Sequence, residues 1–486
     1  MDNTGKTAAE LKAELAKKDA QSASAAAKDK ALSARQTIAS VLDEGTFVEI
    51  GAYVKRDFDE RDYEGVICGY GAIDARLVFV FAQDFYRMKG AFDEVQAKKI
   101  CDLYALAVKN GAPVIGVFNS AGAVLSEGVD ALGAYGKVMR AVSDASGIIP
   151  QIAYINGVCA GSAAVIASMF DITVAVKDKA SLYVSPISTL KAKDAGTADR
   201  SFANGLVTKL YATDAEALGG IRAIINYLPQ NNMEGTVTEL CTDDLNRTVD
   251  LAFADGDYDM KAVLAAVCDG GSYLELSENY APEAVSALAS VGGTVCGIVA
   301  NQPKENGGRL TPNAARKLAK FVSMCDAFGI PVVTLVDSEG VTASDSYENA
   351  PYAAELAKLA YAYSTAETAK VTVVLGRAYG SAFVLMGSKS VGADIAFALD
   401  TAKISILSPK AAVAFLENEK VAKKSRGELE AEWAAENAAP VKAAVHGEID
   451  DVIAASEVRM RICAALSMLA SKCDGAPARK HANLPL

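Results

Sequence analysis

The sequence predicts an α/β protein built as two tandem domains related by internal duplication. Three observations carry this prediction. First, Cys159-Ala160-Gly161-Ser162-Ala163 and Ala378-Tyr379-Gly380-Ser381-Ala382 each end an apolar run in a Gly-Ser-Ala step, and 219 residues separate Ser162 from Ser381. Second, the surroundings repeat. Ala112-Pro113-Val114-Ile115-Gly116-Val117 corresponds to Ile330-Pro331-Val332-Val333-Thr334-Leu335 before the steps, and Ser185-Pro186 corresponds to Ser408-Pro409 after them. Third, short apolar runs alternate with helical patterns at the spacing of parallel strands joined by crossover helices. Self-similarity at a fixed offset is the mark of duplicated structural units.

The elements follow in order. Residues 1–32 form an Ala/Lys/Glu-rich arm, a helix or a mobile segment, because such a short pattern is marginal unless it docks. Val66-Ile67-Cys68 and Leu77 to Phe81 read as strands, and Glu94 to Lys109 as a helix stopped by Gly111-Ala112-Pro113. A buried strand over Val114 to Phe118, a small-residue loop over 119–128, a helix over 129–146 and a strand over 149–155 lead to the first step. Residues 188–280 are more polar, with loops at Gln230-Asn231-Asn232 and at Asp255 to Asp259. The domain boundary falls there, giving domains 33–265 and 266–486. The second half repeats the pattern with a helix over 311–328, a strand over 331–336, a helix over Ala353 to Thr365 and a strand over Val371 to Leu375. Residues 417–440 carry a Lys/Glu/Ala helix pattern, in which Trp433 reads as a packing anchor.

Composition narrows the function. The 486-residue chain is 51% hydrophobic and carries a net charge of −12, which disfavours nucleic acid and anionic membranes as partners. No apolar run approaches the ~18 residues of a membrane span, and the first residues are too polar for a secretory signal. The nine cysteines contain no Cys-x-x-Cys pair, so no metal site is expected and a reducing cytoplasm is. With only His446 and His481, a Ser-His-Asp triad is disfavoured.

The step itself suggests chemistry. A helix that starts at a strand end leaves its first N–H groups unpaired, and its dipole makes them attractive to an anion. Small residues let an oxygen approach closely. A preorganised donor of this kind is typically worth roughly 3–4 kcal/mol to a developing oxyanion. The same Gly-Ser-Ala sequence also suits plain helix–strand packing, so one isolated copy would carry little weight.

Over roughly residues 33–470 the chain resembles the carboxyltransferase subunits of biotin-dependent acyl-CoA carboxylases and related decarboxylases. The resemblance rests on the order and spacing of several segments. They include Asn119-Ser120-Ala121-Gly122-Ala123 through Glu127-Gly128, Asn156-Gly157-Val158-Cys159-Ala160-Gly161-Ser162-Ala163 and Val299-Ala300-Asn301-Gln302-Pro303. Cys325-Asp326-Ala327-Phe328-Gly329-Ile330-Pro331, Arg377 through Phe383 and Gly447-Glu448-Ile449-Asp450-Asp451 complete the set. It implies two crotonase-like domains per chain. It also implies a homo-oligomer of dimer units, commonly a hexamer, with acyl-CoA mainly on the first domain of one chain and biotin mainly on the second domain of its partner.

The implied reaction moves a carboxyl group between carboxybiotin and the α-carbon of a short-chain acyl-CoA, of the acetyl- or propionyl-CoA class, through an enolate. The biotin nitrogen takes the α-proton, which accounts for the scarcity of histidine. By the same resemblance, the N–H groups of Gly161 and Ser162 serve one oxyanion and those of Ser381 and Ala382 the other, with the assignment of thioester and ureido oxygens open. Ala121, Gly122, Ala123, Gly380 and Val384 line the substrate sites, although Val384 reads equally well as a core valine. The hydroxyls of Ser162 and Ser381 donate to substrate or, as the favoured reading, bond locally.

No Met-Lys-Met attachment site is present, so biotin rides on a separate carrier protein. A biotin carboxylase or a membrane decarboxylase subunit completes the cycle. The loop Ser120 to Glu127 and the run Ser338-Glu339-Gly340-Val341-Thr342 depart from the family pattern and bear on substrate choice. Three readings stand. They are a carboxylase subunit, the soluble subunit of a sodium-pumping decarboxylase for methylmalonyl-, malonyl- or glutaconyl-CoA, and a scaffold without activity. A two-carboxylate hydratase is disfavoured, because Glu127 is the only acidic candidate near the first step.

Overall fold

The computed structural model describes residues 6–54, 65–249, 258–473 and 483; residues 255–257 of the expected acidic loop and His481 lie outside them. The first unit holds strands β1 (Val48–Ile50), β2 (Val66–Ile73), β3 (Arg76–Gln83), β4 (Val114–Ser120), β5 (Gln151–Ala160), β6 (Ile172–Val176), β7 (Ser181–Tyr183) and β8 (Lys209–Tyr211). The second holds β9 (Tyr273–Leu276), β10 (Ala284–Val291), β11 (Thr294–Asn301), β12 (Val332–Ser338), β13 (Lys370–Tyr379), β14 (Ile395–Leu399), β15 (Lys403–Ser405) and β16 (Asp451–Ile453). Each set makes one eight-stranded sheet, in the order β1-β2-β3-β4-β5-β6-β8 with β7 on β5, and β9-β10-β11-β12-β13-β14-β16 with β15 on β13. In each, the first three strands are antiparallel and the rest parallel.

Local chemistry explains the elements. The β2–β3 hairpin turns on Asp74 and Ala75, both at positive φ, as a two-residue turn between twisted strands requires. Alanine is poorly suited to that conformation, and the turn is held from outside. Asp43 Oδ2 accepts the Ala75 N–H at 3.0 Å, and Arg222 bridges Asp43 and Asp74. The β10–β11 turn uses Gly292-Gly293, whose N–H groups bond the Asp269 carboxylate at 2.9 and 2.8 Å. Helices Glu94–Asn110 and Val129–Ala145 bury Ile100, Leu103, Tyr104, Val138 and Val142 in one core with Phe81, Val114 and Phe118 from the sheet. Strands buried on both faces read as continuous apolar runs, as seen in β4 and β12.

The arm is helical over Ala8–Lys28, starts at a Thr7 capping box, and docks through buried Ser22 and Ala26. Trp433 is buried with Leu429, Ala412, Val413 and Ala438, anchoring helix Arg426–Asn437 to helix Pro409–Leu416. The compact units divide between Glu234 and Gly235, earlier than the expected 265/266. The reason is pairing in the second unit. Glu239 N–H bonds Gly293 O, Thr238 bridges Thr294, and Arg247 bonds the Ala266 and Cys268 carbonyls. Among the described residues, no helix is long and apolar enough to cross a membrane.

Candidate active site

Both steps are made the same way. β5 pairs with β4 until the register shifts between Phe118 and Ser120, and β13 pairs with β12 until it shifts between Val336 and Ser338. At the shift, Asn119 Oδ1 accepts the Val158 N–H at 3.2 Å, and Asp337 Oδ1 accepts the Arg377 N–H at 3.1 Å. Only glycine fits just before these donors. A Cβ on Gly157 would lie 2.5 Å from Asn119 Oδ1, and one on Gly376 2.2 Å from Asp337 Oδ2. The chain then turns through Gly161 (φ 64°, ψ −130°) and Gly380 (φ 56°, ψ −138°), a conformation that excludes other residues. Short helices Ser162–Ser168 and Ser381–Leu385 follow.

The expected donor Gly161 is corrected by this geometry. Its N–H bonds Tyr183 O at 2.8 Å, because β7 extends the sheet alongside β5, and Gly380 N–H likewise bonds Ser405 O at 2.9 Å. Ala164 and Phe383 N–H turn back to the Gly161 and Gly380 carbonyls. Within the two turns, the N–H groups left without a partner among the described residues are those of Ser162 and Ala163, and of Ser381 and Ala382. The duplication itself holds the signal for this shift, since Ser162 and Ala163 are the counterparts of Ser381 and Ala382.

The loops that follow β4 and β12 leave beside the steps, since Ser120 pairs with Cys159 and Ser338 with Ala378. Ala121 is exposed, while Gly122 and Ala123 are half-buried. Ala121 N–H bonds Lys89 O, Gly122 N–H bonds Ser120 Oγ, and Gly122 O accepts from Phe92. In the second unit Glu339 N–H bonds Gly307 O and Gly340 N–H bonds Ser338 Oγ. The N–H groups of Ala123 and Val341 have no partner among the described residues. Val384 is 42% exposed, which separates it from an ordinary core valine. Glu127 is buried and caps a helix, its carboxylate accepting the Glu94 N–H at 3.1 Å.

The two sites differ in charge. Beside the second step, Arg377 Nε bonds Asp337 at 2.7 Å and its Nη1 bonds Glu339 at 2.6 Å, with Arg309 also paired to Glu339. Burial pushes the Asp337 carboxyl above its ordinary range, against the pull of Arg377. The first unit has neutral Asn119 and Val158 in these places. Sequence reasoning assigned no role to Asn119, Asp337 or Arg377, because their partnership depends on strand register.

Either step offers two adjacent N–H groups to an oxygen such as the ureido oxygen of biotin. At the second step, a Cβ added to Gly380 would come within 3.3 Å of the Ile406 carbonyl. At the first step, a Cβ on Gly161 would meet nothing within 4 Å, so an oxygen has room to approach.

Residues 27–484 match the carboxyl transferase domain family. The chain is 36% identical over 483 residues to the methylmalonyl-CoA decarboxylase subunit alpha of Propionigenium modestum, covering 94% of this chain and 93% of that one. It is 37% identical over 482 residues to the propionyl-CoA carboxylase carboxyltransferase subunit of Haloferax mediterranei, with coverage of 94% and 93%. Its fold matches the hexameric transcarboxylase 12S core with methylmalonyl-coenzyme A and methylmalonic acid bound, at a TM-score of 0.93 and 32% identity, over 99% of this chain and 100% of that one. With its two crotonase-like sheets and duplicated steps, the chain belongs to the carboxyl transferase domain family, the carboxyltransferases of biotin-dependent acyl-CoA carboxylases and decarboxylases.

Proposed function

We propose that this chain moves a carboxyl group between methylmalonyl-CoA and biotin carried on a separate protein in the cytoplasm, with propionyl-CoA as the decarboxylated partner. The observation that carries this reading is the pair of unpartnered N–H groups repeated at equivalent turns of both sheets. The names of the relatives, which join methylmalonyl-CoA to propionyl-CoA, support the acyl class.

At the first step, Ser162 and Ala163 N–H donate to the thioester oxygen, with Ala123 N–H on the neighbouring loop within the same strand-end crevice. Charge grows on that oxygen as the α-carbon becomes an enolate, so fixed donors lower the barrier without reorganising. At the second step, Ser381 and Ala382 N–H donate to the ureido oxygen. Biotin, when bound, supplies the nitrogen that carries the carboxyl group and receives the α-proton. The Asp337–Arg377–Glu339 network holds the second turn rigid, which keeps the donors aimed. Val384 faces the acyl chain and limits its size. The working form is a homo-oligomer of dimer units, in which one copy's first unit meets another copy's second; the hexameric assembly of transcarboxylase 12S supports an oligomer.

The test is carboxyl transfer from methylmalonyl-CoA to free biotin and to a biotinylated carrier, followed by mass spectrometry of the CoA products, with malonyl- and glutaconyl-CoA as comparators. Biotin-dependent appearance of propionyl-CoA is expected. Turnover that prefers another donor would overturn the acyl class, and none with a biotinylated carrier would overturn the activity. The physiological direction follows from co-purification with either an ATP-dependent biotin carboxylase or a membrane subunit.

A further inference from the structure

The short turn Met88–Gly90 stands out in the first unit. Met88 (φ 49°) and Lys89 (φ 55°) are consecutive non-glycine residues in the left-handed region. The equivalent turn of the second unit, Asn306–Gly308, uses Asn-Gly-Gly for the same path. The fold therefore accepts glycine where this chain keeps a strained lysine. Strain of this kind persists only where the surroundings impose it, and here they do on three sides. Arg87 Nε bonds Ser22 Oγ of the N-terminal arm at 3.2 Å and Asp84 Oδ2 at 3.1 Å. Gly90 is pressed on the Asn119 carbonyl, which a Cβ would approach to 2.1 Å. Lys89 O accepts the Ala121 N–H at 3.0 Å.

The Lys89 side chain is exposed and has no partner among the described residues. It follows β3, at the same end of the parallel strands β3, β4 and β5 as the loop Ala121–Ala123 and the first step. On a chain of net charge −12, a polyanionic substrate needs local positive charge to approach. We propose that Lys89 contacts the nucleotide phosphates of the CoA substrate, and that the N-terminal arm braces its turn for that purpose. This rests on the reading above that the thioester occupies the first step.

The test is calorimetric binding of methylmalonyl-CoA and of the methylmalonyl-pantetheine thioester, which lacks the nucleotide phosphates, to the full chain and to Lys89→Gln and Lys89→Gly. Lys89→Gly also removes the left-handed strain, so its melting temperature should rise, which separates loss of contact from loss of fold. The wild type should bind the CoA form more tightly, and both variants should lose about fivefold on that form alone, the size of one exposed charge contact. Equal loss on both ligands would mean that Lys89 only positions the loop, and no loss on either would mean that it touches nothing; each overturns the proposal. A wild type that binds neither thioester would instead sink the reading on which the proposal rests.

Discussion

At the scale of single residues, the groups proposed to act at the steps are backbone atoms, and the side chains there are expected to matter by size. The serine hydroxyls lie beside free N–H groups that do not depend on them. Ser162→Ala and Ser381→Ala should each lower kcat by no more than about fivefold, whereas Ser381→Val should lower it by at least ~100-fold by crowding the oxygen that Ser381 and Ala382 receive. Steady-state transfer to biotinylated carrier checks both. Gly161 is different, because no space limits it but its φ of 64° with ψ −130° does. Gly161→Ala should cost roughly 1–3 kcal/mol of stability, read from the denaturation midpoint. That Gly161 is a turn residue and that the N–H groups of Ser162 and Ala163 stay free was recoverable from the duplication, yet the bond from Gly161 to Tyr183 depends on β7, a three-residue strand without a signal of its own.

At the scale of elements, the second unit is knit by buried charge whose purpose is packing. Lys317 is buried on helix Pro312–Ala327, and its ammonium donates to the carbonyls of Ser277, Tyr280 and Ala284 at 3.0, 3.0 and 2.7 Å. Lys317→Met would leave those acceptors unsatisfied and should cost about 3 kcal/mol, measurable by chemical denaturation. Asp243 gathers Arg247 and Arg459 beside the β10–β11 turn. The Arg247 guanidinium holds its carboxyl well below the usual range. A depressed folded pKa means that the unfolded chain binds the proton first, so this stabilisation is complete above about pH 4 and fades as pH falls further. The melting-temperature gap between the wild type and Asp243→Asn should therefore be constant near neutrality and narrow in acid. These partnerships were not legible beforehand, because residues 236–249 are polar and irregular and find their strand and helix mates only through long-range pairing.

At the scale of the whole molecule, each unit closes its own sheet and core. Separately expressed residues 1–234 and 235–486 should each show a cooperative thermal transition by circular dichroism, and neither alone should transfer carboxyl groups from methylmalonyl-CoA, since each carries one of the two steps. A fragment that was active alone would contradict the division of labour between the steps.

What the sequence by itself determined was the duplication, the α/β class, the strands and helices around each step, and the family. All of these are written in local periodicity and in the spacing of glycine and small residues, which act over a few neighbours. What only the tertiary structure decided was which N–H groups remain free, where the units divide, and that an exposed lysine sits on a braced, strained turn at the strand ends. These depend on register and on partners far away in the chain, such as Tyr183 for Gly161, Gly293 for Glu239 and Ser22 for Arg87. A hydrogen bond has one donor and a definite geometry, so whether a backbone group is left for a substrate is settled only after every neighbouring strand has taken its place.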